Sequence, residues 1–193
     1  ARIIPYLLEK SRVVFQAPDE RNYHSFYALC YGADDEQREA LGLLDVESFA
    51  YLNQSGCTTV EGIDDAADYE TVRQALTFLE MDDATQAAVW QLMAAILHLG
   101  NVDFEEAADG SRAVGDESDA DADEHTPLRI ASRLLGIGTQ KLASALTIRT
   151  NQIRGEVFKV PLKPDQAYSL RDSLAKALYS KLFDWLLGVL NTK

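Results

Sequence analysis

Long uninterrupted apolar runs are missing from this chain. Polar or charged residues break every apolar stretch within a few residues, so no segment can span a membrane as a helix. Cysteine is scarce: Cys30 and Cys57 form no CxxC pair and have no His at zinc spacing. Reduced thiols of a cytosolic protein are therefore expected rather than a disulfide framework. Positive charge is also short. Lys and Arg total 18 against 31 Asp and Glu, for a net charge of −13, which argues against a nucleic-acid partner. Motifs for chemistry are lacking too. The sequence holds no GxxxxGK[ST], no GxGxxG, no HExxH and no GxSxG, so no catalytic residue is assigned in it. His24, His98 and His125 have no second His or Cys at ligand spacing, and no metal site is expected. Ala1 is not an initiator Met, and no signal-peptide core follows Arg2–Pro5. A piece of a longer chain is the expectation.

What is present is unevenly spread. Acids dominate from Asp103 to Glu124, where Arg112 is the one basic residue. Ala, Gly and Ser fill the gaps, leaving little apolar area to offset the entropy of ordering. Residues 104–124 are therefore read as an acidic, flexible surface loop without regular structure.

The rest reads as mainly α. Residues 3–16 (Ile3 to Gln16) hold strand formers at both ends and predict one strand that belongs to a larger central sheet. Pro18-Asp19-Glu20 has the composition of a helix start, and Tyr23, Phe26, Tyr27 and Cys30 fall on one side of that helix. A short polar helix is expected over 34–41 and an ordered loop with aromatic anchors over 44–60. Asp68 is read as the cap of a helix through Leu79, and Asp82 or Asp83 as the cap of the next. That next helix is apolar nearly all round and ends at Gly100-Asn101, so it should be central and buried. Helices follow at about 126–135 and, capped by Thr139, at about 139–146. Residues 147–162 alternate in polarity about a polar turn and predict a β-hairpin. The last element is a long helix over about 164–191. Leu170, Leu174, Leu178, Leu182, Leu186 and Leu190 recur along it at every fourth position. At about 1.5 Å per residue it would run roughly 40 Å.

Several strings go beyond composition. YLLEKSRVVFQ (6–16), ERNYHSFYALCYGA (20–33), FAYLNQSGC (49–57), AAILHLGNVDF (94–104) and RDSLAKALYSKLFDWLLGVLN (171–191) stand in the order found in myosin motor heads. The chain resembles the upper 50 kDa subdomain of that family, less its nucleotide loops. The resemblance implies part of an actin-activated, ATP-hydrolysing motor that is cytoplasmic and cytoskeletal. ATP and Mg2+ would be bound mainly by residues outside this chain. The implied partners are the actin filament and the remaining parts of the head, with no nucleic acid and no membrane insertion. The alternative from another class is a non-catalytic actin-binding or adaptor module, a degenerate motor head.

Under that resemblance, 104–124 is similar to the family's loop 4, and 147–162 to the actin-facing hairpin called the cardiomyopathy loop. Family members carry an acidic or phosphorylatable residue sixteen positions before the Asp of a DALAK-like motif. Here the motif reads DSLAK from Asp172, with Ser173 where Ala is usual, and that position is Glu156. A permanent negative charge needs no phosphorylation to be present. Arg149, Arg154 and Lys159 flank it on the same hairpin as candidate contacts to an acidic filament surface.

Overall fold

A computed structural model describes residues 3, 4, 7–119, 123–153 and 155–192 of the chain. It is mainly α, as expected. Eight helices appear among these residues: α1 (His24–Gly32), α2 (Asp35–Leu41), α3 (Ala50–Asn53), α4 (Asp65–Phe78), α5 (Asp83–Gly100), α6 (Pro127–Leu134), α7 (Thr139–Thr147) and α8 (Pro164–Thr192). Two antiparallel hairpins complete the fold: β1 (Phe104–Ala107) with β2 (Gly110–Ala113), and β3 (Ile148–Ile153) with β4 (Glu156–Pro161).

α5 is the axis of the fold. Asp82 caps it, accepting from the Thr85 amide at 2.7 Å. From Met93 to Gly100 it is buried all round, in keeping with its apolar sequence. One core gathers α1, α4, α5 from Val89 to Leu97 and Leu182 of α8 around Phe26, Tyr27, Phe49, Leu52 and Trp90. A second core joins Leu99, Val102, Phe104, Leu128, Leu142, Leu146 and Ala167 beneath the first hairpin. α8 runs past both cores as a single unbroken helix of 29 residues, which bears out the expected long helix. Both cysteines are free thiols, with Cys30 buried.

The expected strand over 3–16 is corrected. Among its described residues the chain forms a 3-10 turn, Lys10–Val13, and no strand. A strand needs a neighbour to complete its ladder. Without one, the amides turn inward, Arg12 N to Glu9 O at 3.0 Å and Val14 N to Ser11 O at 3.1 Å. Leu7 and Phe15 stay exposed.

Other boundaries shift for local reasons. The helix expected from Pro18 begins at His24, because Asp19 takes a positive φ of 64°. Asn22 then holds the entry, its side-chain amide donating to Val13 O and Tyr51 O, each at 2.9 Å. Asp64, not Asp68, caps α4. Gly138 precedes α7, while Thr139 Oγ1 lies 3.0 Å from Ser132 Oγ. Within the segment read as a structureless acidic loop, residues 104–113 form the β1–β2 hairpin. Phe104 and Ala113 are buried beneath it, an anchorage that charge counting overlooked. The leucine stripe of α8 is unevenly used: Leu182 is buried, whereas Leu190 is 37% exposed.

Candidate functional site

The β3–β4 hairpin projects from the body. Its register pairs Ile148 with Pro161, Arg149 with Val160, Thr150 with Lys159, Asn151 with Phe158 and Gln152 with Val157. All six residues of β4 are exposed. An isolated apolar residue at a surface is ordinary, but here Val157, Phe158 and Val160 are all left uncovered on one short strand.

The register sorts the residues singled out from sequence. Side chains of directly opposed residues share a face, and faces alternate along a strand. Arg149 and Glu156 therefore lie on one face together with Phe158 and Val160. Lys159 lies on the other face, with Thr150 and Val157. Glu156 and the Arg149–Val160 pair are four strand residues apart, about 13 Å. Arg149, Glu156 and Lys159 are exposed and form no ion pair among the described residues. Arg154 lies outside the described residues. The structure thus joins two of the four residues on one face and separates Lys159.

The hairpin is rooted directly on α8. Leu162 is buried, and its amide donates to Thr147 O at 2.8 Å, closing the base of the hairpin. Lys163 N donates to Gln166 Oε1 at 3.1 Å as α8 begins. Two turns further on, Arg171 and Asp172 tie the helix to the body. Arg171 Nη1 donates to Gly100 O and Val102 O, each at 3.0 Å, and Nη2 to Asp172 Oδ1 at 2.8 Å. The guanidinium lies 5.0 Å from the Tyr168 ring centroid and 5.6 Å from that of Tyr51. Tyr51 Oη donates to Asp172 Oδ1 at 2.7 Å. Burial pushes the Tyr51 hydroxyl well above its ordinary pKa, and the bond to Asp172 adds to that shift. Gly100 permits the close approach, since a Cβ there would fall 2.7 Å from Tyr51 Cδ2. Sequence reasoning used Asp172 only as a counting mark. The adjacent Arg171-Asp172 pair, set between Leu170 and Leu174 of the leucine stripe, was the available signal.

Further along, Tyr179 stacks on Tyr23 at 4.7 Å and leans on Phe26 at 5.4 Å. Burial pushes its hydroxyl up to about 12. Beyond the first hairpin, Arg129 gathers the acidic segment, donating to Gly115 O and Asp119 O at 3.0 Å each.

The histidines divide. His98 is fully buried with Nε2 3.1 Å from Leu41 O. His24 is exposed at the first position of α1. His125 is exposed and pairs with Asp123 at 2.8 Å. Among the described residues no three His, Cys, Asp or Glu side chains converge as metal ligands. Nor is any helix long and apolar enough to cross a membrane. Among the described residues no cluster of carboxylates is present to seat the Mg2+ of an ATP complex.

An exposed ribbon is rooted on one long, pinned helix. The whole chain, residues 1–193, matches the myosin head (motor domain), and it belongs to that family. It is 45% identical over 194 residues to the Myosin-I heavy chain of Dictyostelium discoideum, covering all of this chain and 8% of that protein. It is 39% identical over 196 residues to Myosin-1 of Emericella nidulans, covering 99% of this chain and 15% of that protein. Against Myosin heavy chain IB of Acanthamoeba castellanii it is 40% identical over 197 residues, covering 98% of this chain and 15% of that protein. The chain thus spans 8 to 15% of the length of these curated relatives.

Proposed function

We propose that this chain is the upper 50 kDa part of an actin-activated, ATP-hydrolysing myosin motor of the cytoplasmic cytoskeleton. In this reading β3–β4 grips the filament, and α8 links that grip to a nucleotide site built by the rest of the head. ATP and Mg2+ act outside this chain. The observation that carries the reading is the family match over all 193 residues, together with an uncovered hairpin in the expected place.

The physical roles follow from that placement. Glu156 supplies a permanent negative charge near the tip of the hairpin, and Arg149 a positive one nearer its root on the same face. Phe158 and Val160 between them offer apolar area worth burying, at about 25 cal/mol per Å². Opposite charges across such a contact govern encounter and register more than raw affinity. α8 is suited to act as a strut. Arg171 and Asp172 pin its first half and Tyr179 and Leu182 its second, so displacement of one end carries the other.

The test uses the parent protein. Its basal and actin-stimulated ATPase and its cosedimentation with filaments are compared for the native form and for Glu156→Lys. Weaker cosedimentation with an unchanged basal rate supports the reading. Filament binding without stimulated turnover in the native parent would instead favour a non-cycling actin-binding module. Equal binding by both forms would remove Glu156 from the contact.

A further inference from the structure

The turn between β1 and β2 presses on the root of the projecting hairpin. Gly110 sits there at φ +139°, in a region that L side chains rarely adopt. A Cβ on it would lie 2.7 Å from Pro161 Cβ and 2.9 Å from the Leu162 carbonyl oxygen. Neither neighbour is a flexible tip: one is a ring carbon and the other is backbone. Ser111 Oγ donates to the same Leu162 carbonyl at 2.8 Å. β1 is itself fastened to α8. The Tyr168 hydroxyl bonds the Asp103 carboxylate, and the Phe104 ring meets Tyr168 edge-on at 5.1 Å.

The projecting hairpin needs such a contact. Its cross-strand hydrogen bonds set its shape but not the direction in which it points. Two strands joined to a body only through their ends have little resistance to swinging, and a lone hairpin is marginally stable in water. Ile148 follows α7 without a break, and Pro161 leads to α8 through Leu162 and Lys163. Gly110 and Ser111 add a third support, on the side where the strand β4 leaves.

We infer that the β1–β2 hairpin is a buttress that sets the direction of β3–β4, with Gly110 and Ser111 as its positioning residues. The acidic segment then tunes the filament-facing hairpin from behind. That consequence for binding rests on the function proposed above; the mechanical support does not.

The experiment uses the intact motor head that contains this chain, with nitroxide labels carried by noncanonical residues at Gln152 and Lys181. Pulsed electron resonance reads the distance between hairpin and long helix. Gly110→Ala should shift the mean distance. Ser111→Ala, a milder change, should broaden the distribution, and Ser111→Thr, which keeps the hydroxyl, should restore it. Ser111→Ala should also weaken filament affinity about fivefold, the factor carried by one hydrogen bond, with basal ATPase unchanged. Native distributions in both Gly110→Ala and Ser111→Ala would overturn the buttress, even if Glu156→Lys weakens binding. Altered distributions with filament binding untouched by Ser111→Ala and Glu156→Lys alike would support the buttress and sink the filament reading instead.

Discussion

Tyr51 Oη donates to Asp172 Oδ1 at 2.7 Å, joining the short helix α3 to the long helix α8 across 121 positions of sequence. The same carboxylate oxygen accepts from Arg171, which also holds the last carbonyls around α5. Three elements therefore meet at one largely buried polar knot. Tyr51→Phe keeps the ring packing and removes one bond, so it should cost about 1 kcal/mol. Arg171→Met strands the Gly100 and Val102 carbonyls and the Asp172 carboxylate, and should cost about 2–3 kcal/mol. Denaturant melts of the parent head measure both, and equal losses would show that the knot does not centre on Arg171.

The two faces of β3–β4 predict an asymmetry between Arg149 and Lys159. Arg149 shares its face with Glu156 and Phe158, and Lys159 does not. If the Glu156 face meets the filament, Arg149→Ala should weaken cosedimentation by up to about fivefold, as exposed charge pairs do. Lys159→Ala should have a smaller effect. Both losses should shrink at high salt. The reverse order would mean that the other face is the contact.

His98 predicts an acid-side loss of stability. Burial lowers its pKa from 6.5 to about 4, outweighing its backbone bonds. Between those values the unfolded chain binds a proton that the folded chain refuses. Stability therefore falls as pH drops from about 6.5 to about 4, at up to about 1.4 kcal/mol per pH unit. Asp82 titrates below that window, since its bonds to Thr85 lower its pKa from 3.8. His98→Gln should flatten the stability profile between pH 4 and 6.5, measured by urea unfolding. A variant that keeps the native slope would assign the loss to another group.

Arg21 and Asp65 pair at 2.7 Å with side chains only 4% and 7% exposed. Arg21 also lies 3.7 Å from the Tyr27 ring centroid. Removing one partner leaves a charge buried, so Asp65→Ala should cost about 3–5 kcal/mol. The double change Arg21→Met with Asp65→Leu should cost less than Asp65→Ala alone. Thermal melts of the parent head decide this, and a double variant less stable than the single would overturn it.

Much of this was legible in the residue order. The cap read at Asp82 or Asp83, the buried helix behind it, the alternation over 147–162 and the four-residue leucine recurrence each produced the element they predict, with Asp82 as the cap. These are local signals, carried by side-chain period and by a cap's own hydrogen bond. The start of α1 was missed because Asp19 takes a positive φ and Asn22 is held by Val13 and Tyr51, contacts made only in the folded chain. The strand expected over 3–16 had the right composition and no partner to pair with.

The order of residues alone determined the helical class, the hairpin, the long helix and the family, because period and motif survive without contacts. Tertiary structure decided that Arg149 and Glu156 share a face while Lys159 does not, that Arg171 and Asp172 pin α8, and that Gly110 meets Pro161. Those facts depend on strand register and on the packing of segments remote in sequence, and no local pattern encodes which distant atoms will meet.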